Sequence, residues 1–414
     1  MFYKHVVDNI FTMNKIFVYS NMTEYTNLPI KGQGIIVFKT YVHDNAMFTI
    51  YDSDKLNMLR IVFSTTHVDV TMVNNSHTKI LADPLNTSGL VYLHGAYYWF
   101  SLDSQNQKLY AGIGEPRSET IIYTYTFDSN ELNKMFLESL SHVSYSKTRS
   151  NVHIIRISKD PITNSTPLIV KDTNDLTMMD IAKMTYIPKA NLSTILQKLY
   201  DCISGTKFVL DDTSFPDFSK AIEYSIVTEG CWCNTVLKKK ATEFNKDAPN
   251  INETYLRITL GSNNGESPGI PYVMEIWPSG HYSPIHSHAG ANAIIRVLYG
   301  EIHVKLFPFL CYEKEGIPIF GEADFKKDEI TWISPTLNQT HQLENKCSTT
   351  CVTIQCYMYD DDNKRHYDYF DYIDINGDKQ QYEPDSDMDF VLFKQTMYLE
   401  WTNKKGNKKS HNKR

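Results

Sequence analysis

The sharpest run of residues able to do chemistry is Gly280-His-Tyr-Ser-Pro-Ile-His286-Ser-His288. Side chains one residue apart on a strand share a face, so His286 and His288 point the same way if this segment is extended. Neutral imidazole ligates iron, zinc, copper or nickel, and two on one face make half a metal site. A third histidine follows a loop containing Pro335, in His341-Gln-Leu-Glu-Asn345. Alone, His341 reads as a surface strand residue. Distributed two plus one over neighbouring strands, His286, His288 and His341 can converge on one ion. Arg257 carries a planar fork of donors suited to bidentate capture of a carboxylate, although in isolation it reads as a surface arginine. Tyr255 and Tyr357 taken singly are core or rim aromatics. Cys231, Cys233 and Cys356 read as small buried hydrophobes.

The elements that must position these residues are mostly strands. Tyr272–Trp277, Ala293–Tyr299, Glu301–Phe307, Glu329–Ile333, Gln342–Leu343 and Cys351–Tyr359 are rich in β-branched and aromatic residues. Gly300 turns one of them into the next, and Asp374-Ile-Asn376-Gly377-Asp378 is a hairpin turn. Before them, Leu192, Ile195, Leu196, Leu199 and Ile203 fall on one face of a helix over Asn191–Ser204, with Gly205 placed as its C-cap. A second helix is expected over Phe218–Ile226. Helices followed by about eight strands predict a small β-barrel with a helical preface.

Further upstream, seven short strands are expected: Gly34–Tyr41, Ala46–Tyr51, Met58–Phe63, His67–Val73, Ala96–Leu102, Gln107–Gly112 and Thr120–Phe127. Asp/Asn/Ser/Gly clusters separate them, as in an antiparallel sandwich. Helical spacing over Asn130–Val143 then leads into a stretch punctuated by Pro161, Pro167 and Pro188. The expected division is a β-sandwich over 1–128, a helix and connector over 129–190, a barrel domain over 191–402 that folds without what precedes it, and a basic disordered tail over 403–414.

Composition narrows the partners. The 414 residues are 42% hydrophobic, ordinary for a globular chain, and a net charge of −7 gives no global basic field for nucleic acid. Lys404, Lys405, Lys408, Lys409, Lys413 and Arg414 read as a solvated terminus, with an address signal or RNA contact as the alternative. No apolar run approaches the roughly 18 residues of a membrane span. Met1 to Asn21 lacks the continuous apolar core of a secretory signal. Seven cysteines, with Cys231 and Cys233 too close for an easy bridge, fit a reducing, cytoplasmic compartment better than a disulfide framework. The Asn-x-Ser/Thr triplets at Asn86 and Asn338 reflect an Asn-rich composition.

The histidine segments resemble the two-part pattern of the cupin barrel, Gly-x5-His-x-His followed by Pro and His-x3-Asn. Over about Asn191 to Trp401 the chain is similar to the cysteine dioxygenases. Tyr255-Leu-Arg257 resembles that family's Tyr-x-Arg, whose arginine binds the substrate carboxylate. Trp277 to His288 resembles its metal strand, and His341 to Asn345 its third-ligand segment. Val352 to Tyr357 resembles the strand bearing its active-site tyrosine. The resemblance implies Fe(II) on His286, His288 and His341. It implies oxidation of free cysteine to cysteine sulfinic acid with O2, with Arg257, Tyr255 and Tyr357 at the substrate.

Two departures stand out. Many cupins place a fourth ligand, Glu, where this chain has Ala293. Animal cysteine dioxygenases place there a cysteine joined to the tyrosine, which bacterial relatives lack. The family's Ser-His-Tyr relay becomes Thr353, Gln355 and Tyr357, and glutamine does not titrate. Alternatives are therefore a dioxygenase of another thiol, such as a mercapto-acid or an N-terminal cysteine, or a cupin without catalysis that binds a ligand or partner. A hydrolytic zinc site could use the same ligands, but no obvious general base accompanies them. Upstream, Tyr97 to Arg117 resembles the β-sandwich module of farnesoic acid O-methyltransferase-like proteins, which implies a binding or structural module for a ligand not defined by the sequence.

Overall fold

The computed structural model describes residues 23–40, 45–83, 89–90, 95–146, 152–162, 165–262, 271–311, 319–360 and 369–411. Met1 to Asn21, Tyr41, Asn86, Lys413 and Arg414 lie outside them.

The described residues between 23 and 158 form a sandwich of two antiparallel sheets. One sheet runs in the order β1 (Thr23–Asn27), β10 (His142–Ser146), β3 (Ala46–Tyr51), β4 (Asn57–Phe63), β5 (Val68–Asn74), β6 (His77–Leu81). The other runs β11 (His153–Ser158), β2 (Gln33–Lys39), β7 (Tyr98–Asp103), β8 (Lys108–Ile113), β9 (Ile121–Thr126). Alternation decides the faces. Ala46, Phe48 and Ile50 of β3 and Leu59, Ile61 and Phe63 of β4 enter the core, while Met47 between them is exposed. β7 is buried on both faces, because Trp99 packs outward against Ile35, Val37 and Ile162.

The expected helix over Asn130–Val143 is shorter. Asn130 caps it by accepting from the Asn133 amide, and α1 covers Glu131–Ser139. Leu140 turns extended, and β10 then pairs with both β1 and β3. The expected connector is thus divided between the two halves of the chain. β10 and β11 complete the sandwich. β12 (Ile169–Lys171) pairs with a barrel strand, and β13 (Tyr186–Pro188) pairs with β12. Three-residue strands beside Pro167 and Pro188 leave too short a pattern to be read in advance. Between them, α2 (Met178–Lys183) is closed by a Thr177–Asp180 capping box.

The barrel has two sheets. The larger runs β13, β12, β20 (Ile330–Ile333), β17 (Asn292–Tyr299), β22 (Cys351–Met358), β15 (Pro271–Trp277), β14 (Leu256–Ser262), β25 (Met388–Asp389). The smaller runs β19 (Gly321–Lys326), β18 (Glu301–Phe307), β21 (Thr340–Glu344), β16 (Ile285–Ser287), β23 (Phe370–Ile373), β24 (Lys379–Tyr382). The larger sheet is buried on both faces, since helices cover its outside. Leu256, Ile258, Met274, Ile276, Ile294, Val352, Ile354 and Cys356 point out to α3 (Thr194–Ile203), α4 (Phe218–Val227), α5 (Trp232–Lys240) and α6 (Phe390–His411). Their neighbours Tyr255, Trp277, Val297 and Cys351 point into the barrel. The fold is therefore mostly β, an antiparallel sandwich followed by a two-sheet β-barrel with a helical preface.

Three local expectations are corrected. Gly205 is not a left-handed cap. Ser204 ends α3 in a right-handed conformation, and the Arg296 guanidinium donates to the Ile203 and Gly205 carbonyls at 3.0 and 2.9 Å, supplying the donors a helix end needs. The basic segment from residue 403 is helical through His411, continuing α6, whose Phe393 and Met397 are fully buried. Cys231 is half-buried, whereas Cys233 and Cys356 are buried. Gly300 does close the β17–β18 turn, at φ 72°, and a Cβ there would meet the Thr350 carbonyl at 2.5 Å.

Candidate metal centre

Two paired strands bring the histidines together. β16 lies between β21 and β23, and His286 stands directly opposite His341 across the ladder. His288 follows just past the end of β16. The ligand atoms of His286, His288 and His341 all lie within 4.8 Å of one another. Nε2 of His288 and Nε2 of His341 are 3.1 Å apart. Two imidazoles each about 2.1 Å from one ion at roughly a right angle have this separation.

Backbone carbonyls set the tautomers. His286 Nδ1 donates to the Pro284 carbonyl at 3.0 Å and His341 Nδ1 to the Asn338 carbonyl at 3.1 Å. Each ring then presents a bare Nε2 lone pair inward, the arrangement that orients metal-bound histidines. His288 Nδ1 is buried with no partner, and the ring is held instead by stacking on Tyr357, centroids 5.6 Å apart. Burial, then neighbouring positive charge, pulls the imidazoles down: His286 to about 4, His341 to about 3, and His288 well below its usual range. Neutral lone pairs converging in a buried space fit a divalent cation. The fourth-ligand position, Ala293, offers no donor, so the set is three neutral imidazoles.

The cavity beside the triad is narrow. Its far wall is polar, with Arg257, Glu275, Gln355 and Tyr357, and its sides are aromatic, with Tyr255, Trp277 and Phe370 among them. Tyr255 stacks on Trp277 at 4.2 Å between centroids. Arg257 and Glu275 are register partners on β14 and β15, and Nη1 donates to the Glu275 carboxylate at 2.9 Å. The other Glu275 oxygen accepts from Gln355 Nε2, and Gln355 Oε1 accepts from the Tyr357 hydroxyl. Arg257 is also within hydrogen-bond reach of the Tyr357 oxygen. Burial opposes ionisation of Arg257 and Glu275, and their mutual attraction counters it; the attraction leaves the guanidinium above its ordinary pKa, while burial still holds the Glu275 carboxyl above its own. Burial, then the Glu275 charge, pushes the Tyr357 phenol up, so it stays neutral.

All six residues singled out in the sequence, His286, His288, His341, Arg257, Tyr255 and Tyr357, line this one cavity. Glu275 was not foreseen. In Tyr-Val-Met-Glu-Ile-Trp it looks like the solvent-facing residue of an edge strand, and only the helices covering Met274 and Ile276 turn it inward. Other motif residues are structural. Asn345 is fully buried and donates to the Trp277 and Thr349 carbonyls, and His281 bonds the Thr254 carbonyl.

No family model matches the chain. Similar solved structures include the cupin domain of an XRE-family transcriptional regulator from Enterobacter cloacae, at 17% identity over 26% of this chain and 97% of that one, TM-score 0.20. The Cnp3 cupin domain of Schizosaccharomyces pombe is similar at 15% identity over 24% of this chain and 63% of its own, TM-score 0.19. Oxalate oxidase in complex with glycolate is similar at 19% identity over 27% of this chain and 53% of its own, TM-score 0.21. The likeness concerns the fold alone.

Proposed function

We propose that the barrel is an Fe(II)-dependent thiol dioxygenase that converts free cysteine to cysteine sulfinic acid. The observation that carries this reading is one small buried cavity with three neutral imidazoles on one wall and a guanidinium and a phenol on the other. Neutral ligands leave a divalent ion its full charge, which favours an anionic thiolate. Bound iron would supply activation of dioxygen beside that thiolate. The stoichiometry needs no further reductant: thiolate plus O2 gives sulfinate, sulfur losing the four electrons that dioxygen gains.

The chain's own residues bind and orient. Arg257 spends Nη1 on Glu275, lies within reach of the Tyr357 oxygen, and offers the rest of its fork to a substrate carboxylate. Glu275 accepts from both Arg257 and Gln355, which fixes the Gln355 amide so that its oxygen faces Tyr357. The Tyr357 proton is thereby committed to Gln355, and its oxygen can only accept, from Arg257 or from the substrate. Aromatic walls limit water. All seven cysteines are free thiols. No helix among the described residues is long and apolar enough to cross a membrane.

The Glu275 carboxylate, 2.9 Å from Arg257, favours one variant reading, in which the substrate thiol carries an amine and no carboxylate. Iron analysis and an oxygen-uptake assay decide between them. The expected outcome is about one iron per chain, lost in His341→Ala, and cysteine gaining two oxygen atoms by mass. In Arg257→Ala the KM for cysteine should rise roughly ten- to hundred-fold, the size of one charge-assisted hydrogen bond, while cysteamine is spared. Cysteamine oxidised better than cysteine by the unaltered protein would select the variant reading. Oxidation of neither, with iron bound, would end both.

A further inference from the structure

The sandwich and the barrel exchange segments. From the barrel, Phe309 and Cys311 pack into the sandwich core. From the sandwich, the turn after β8 enters the barrel, with Gly114 at φ 79° against Pro308, where a Cβ would lie 2.4 Å from the carbonyl oxygen. The next residue, Glu115, is 1% exposed, and Arg117 is 3% exposed. Two charges removed from water so completely are costly unless every donor and acceptor is matched.

What they match is the loop that carries the third histidine. The Glu115 carboxylate accepts from the Asn338 amide at 2.7 Å and from the Gln339 amide at 2.8 Å. Arg117 Nη1 donates to the Asn338 side-chain oxygen at 2.8 Å, and Asn338 Nδ2 donates to the Trp332 carbonyl. Asn338 is thus held in a left-handed conformation, φ 62°. Its carbonyl is the acceptor for His341 Nδ1. Gln339, gripped by the same carboxylate, receives the Gly290 amide and donates to the Ala291 carbonyl, both in the turn following His288. One carboxylate therefore holds two consecutive peptide groups, one leading to His341 and the other to the turn beside His288.

We propose that Glu115 is a positioning residue for the metal centre, so that the N-terminal sandwich is a structural part of that centre. The inference rests on the reading of His286, His288 and His341 as metal ligands. Outer partners of metal-bound histidines set ring orientation, and their loss typically costs about ten- to hundred-fold in metal affinity.

The test is Co(II) titration of the full-length, metal-free protein, following the visible absorption of the bound ion alongside thermal unfolding without metal. Glu115→Gln keeps the shape but can accept on one side only. It should weaken Co(II) binding about ten- to hundred-fold and alter the Co(II) spectrum. Phe309→Ala disturbs the same interface without touching Asn338 or Gln339. It should lower the unfolding temperature and leave Co(II) affinity within about threefold of the unaltered protein, well short of that loss. Should Glu115→Gln not fold, Glu115→Asp keeps the charge beside Arg117 but is too short for both amides, and is read on the same scale. Unchanged affinity in the Glu115 variant, or an equal loss in Phe309→Ala, overturns the proposal while the metal reading stands. An unaltered protein that takes up no Co(II) overturns the metal reading and the proposal with it.

Discussion

Gln355 occupies the place where a titrating relay would need a base, and its neighbours give it a different task. An ionised Glu275 only accepts hydrogen bonds, so the Gln355 amide nitrogen must face it and the amide oxygen must face Tyr357. The polarity of the chain from Arg257 to Tyr357 therefore depends on one carboxylate. Glu275→Gln removes it and leaves Arg257 buried and unpaired, which is expected to cost about 3–5 kcal/mol of stability by denaturant unfolding. Glu275→Leu combined with Arg257→Met should recover most of that loss, because an apolar pair of similar volume needs no desolvation. The double variant should still fail to bind cysteine; one that binds it normally would remove the pair from the substrate site. The histidines carry a pH signature. Unfolded imidazoles take up protons near 6.5, whereas burial holds His286 at about 4 and His341 at about 3. The unfolded chain then binds more protons between these values, so stability present above pH 6.5 is lost as pH falls toward 3. Urea midpoints of the metal-free protein should fall across that window, and His286→Gln should flatten the decline. A slope unaffected by that change would mean other groups dominate.

At the scale of elements, alternation carried most of what could be read in advance. Strands such as Glu301–Phe307 coincide with their expected bounds, and the three histidine positions converge as their spacing implied. What escaped has physical reasons. Phe390, Phe393, Met397 and Trp401 do repeat at helical spacing in α6, but the Lys- and Asn-rich run after them reads as a tail. β12 and β13 are too short to show a period. Glu115 and Asn338 are 223 residues apart, a separation no local pattern reports. Register offers a direct test of the barrel. Ala293 and Tyr357 stand opposite each other on β17 and β22 and share a small buried cluster. Ala293→Cys should therefore form a thioether with Tyr357 when iron, oxygen and cysteine are supplied, seen as a faster band on a denaturing gel and a mass loss of about two hydrogens. The added sulfur is small beside the insertions that cost about 1–3 kcal/mol. A variant that turns over yet never cross-links would show that the two strands are not in this register.

Over the whole molecule, the boundary expected at Asn191 cuts through the barrel. Thr331 and Trp332 of β20 donate to the Leu168 and Pro167 carbonyls, and β12 pairs with the same strand. A chain beginning at Asn191 loses these partners and uncovers Phe309 and Cys311, which the sandwich otherwise buries. It should be more sensitive to proteolysis than the full chain and bind Co(II) more weakly. A fragment with full metal affinity would show that the barrel is self-sufficient. The exchange of segments also has a consequence for descent. Domains joined only by a linker can be shuffled between genes, each keeping its own trade. Here a recombinant that took its sandwich from another lineage would bring no carboxylate to the Asn338 and Gln339 amides, and no cover for Phe309. If Glu115 positions the metal centre, the two halves are expected to be inherited together, with the Gly114–Arg117 turn changing in step with the Asn338–His341 loop in relatives of this chain.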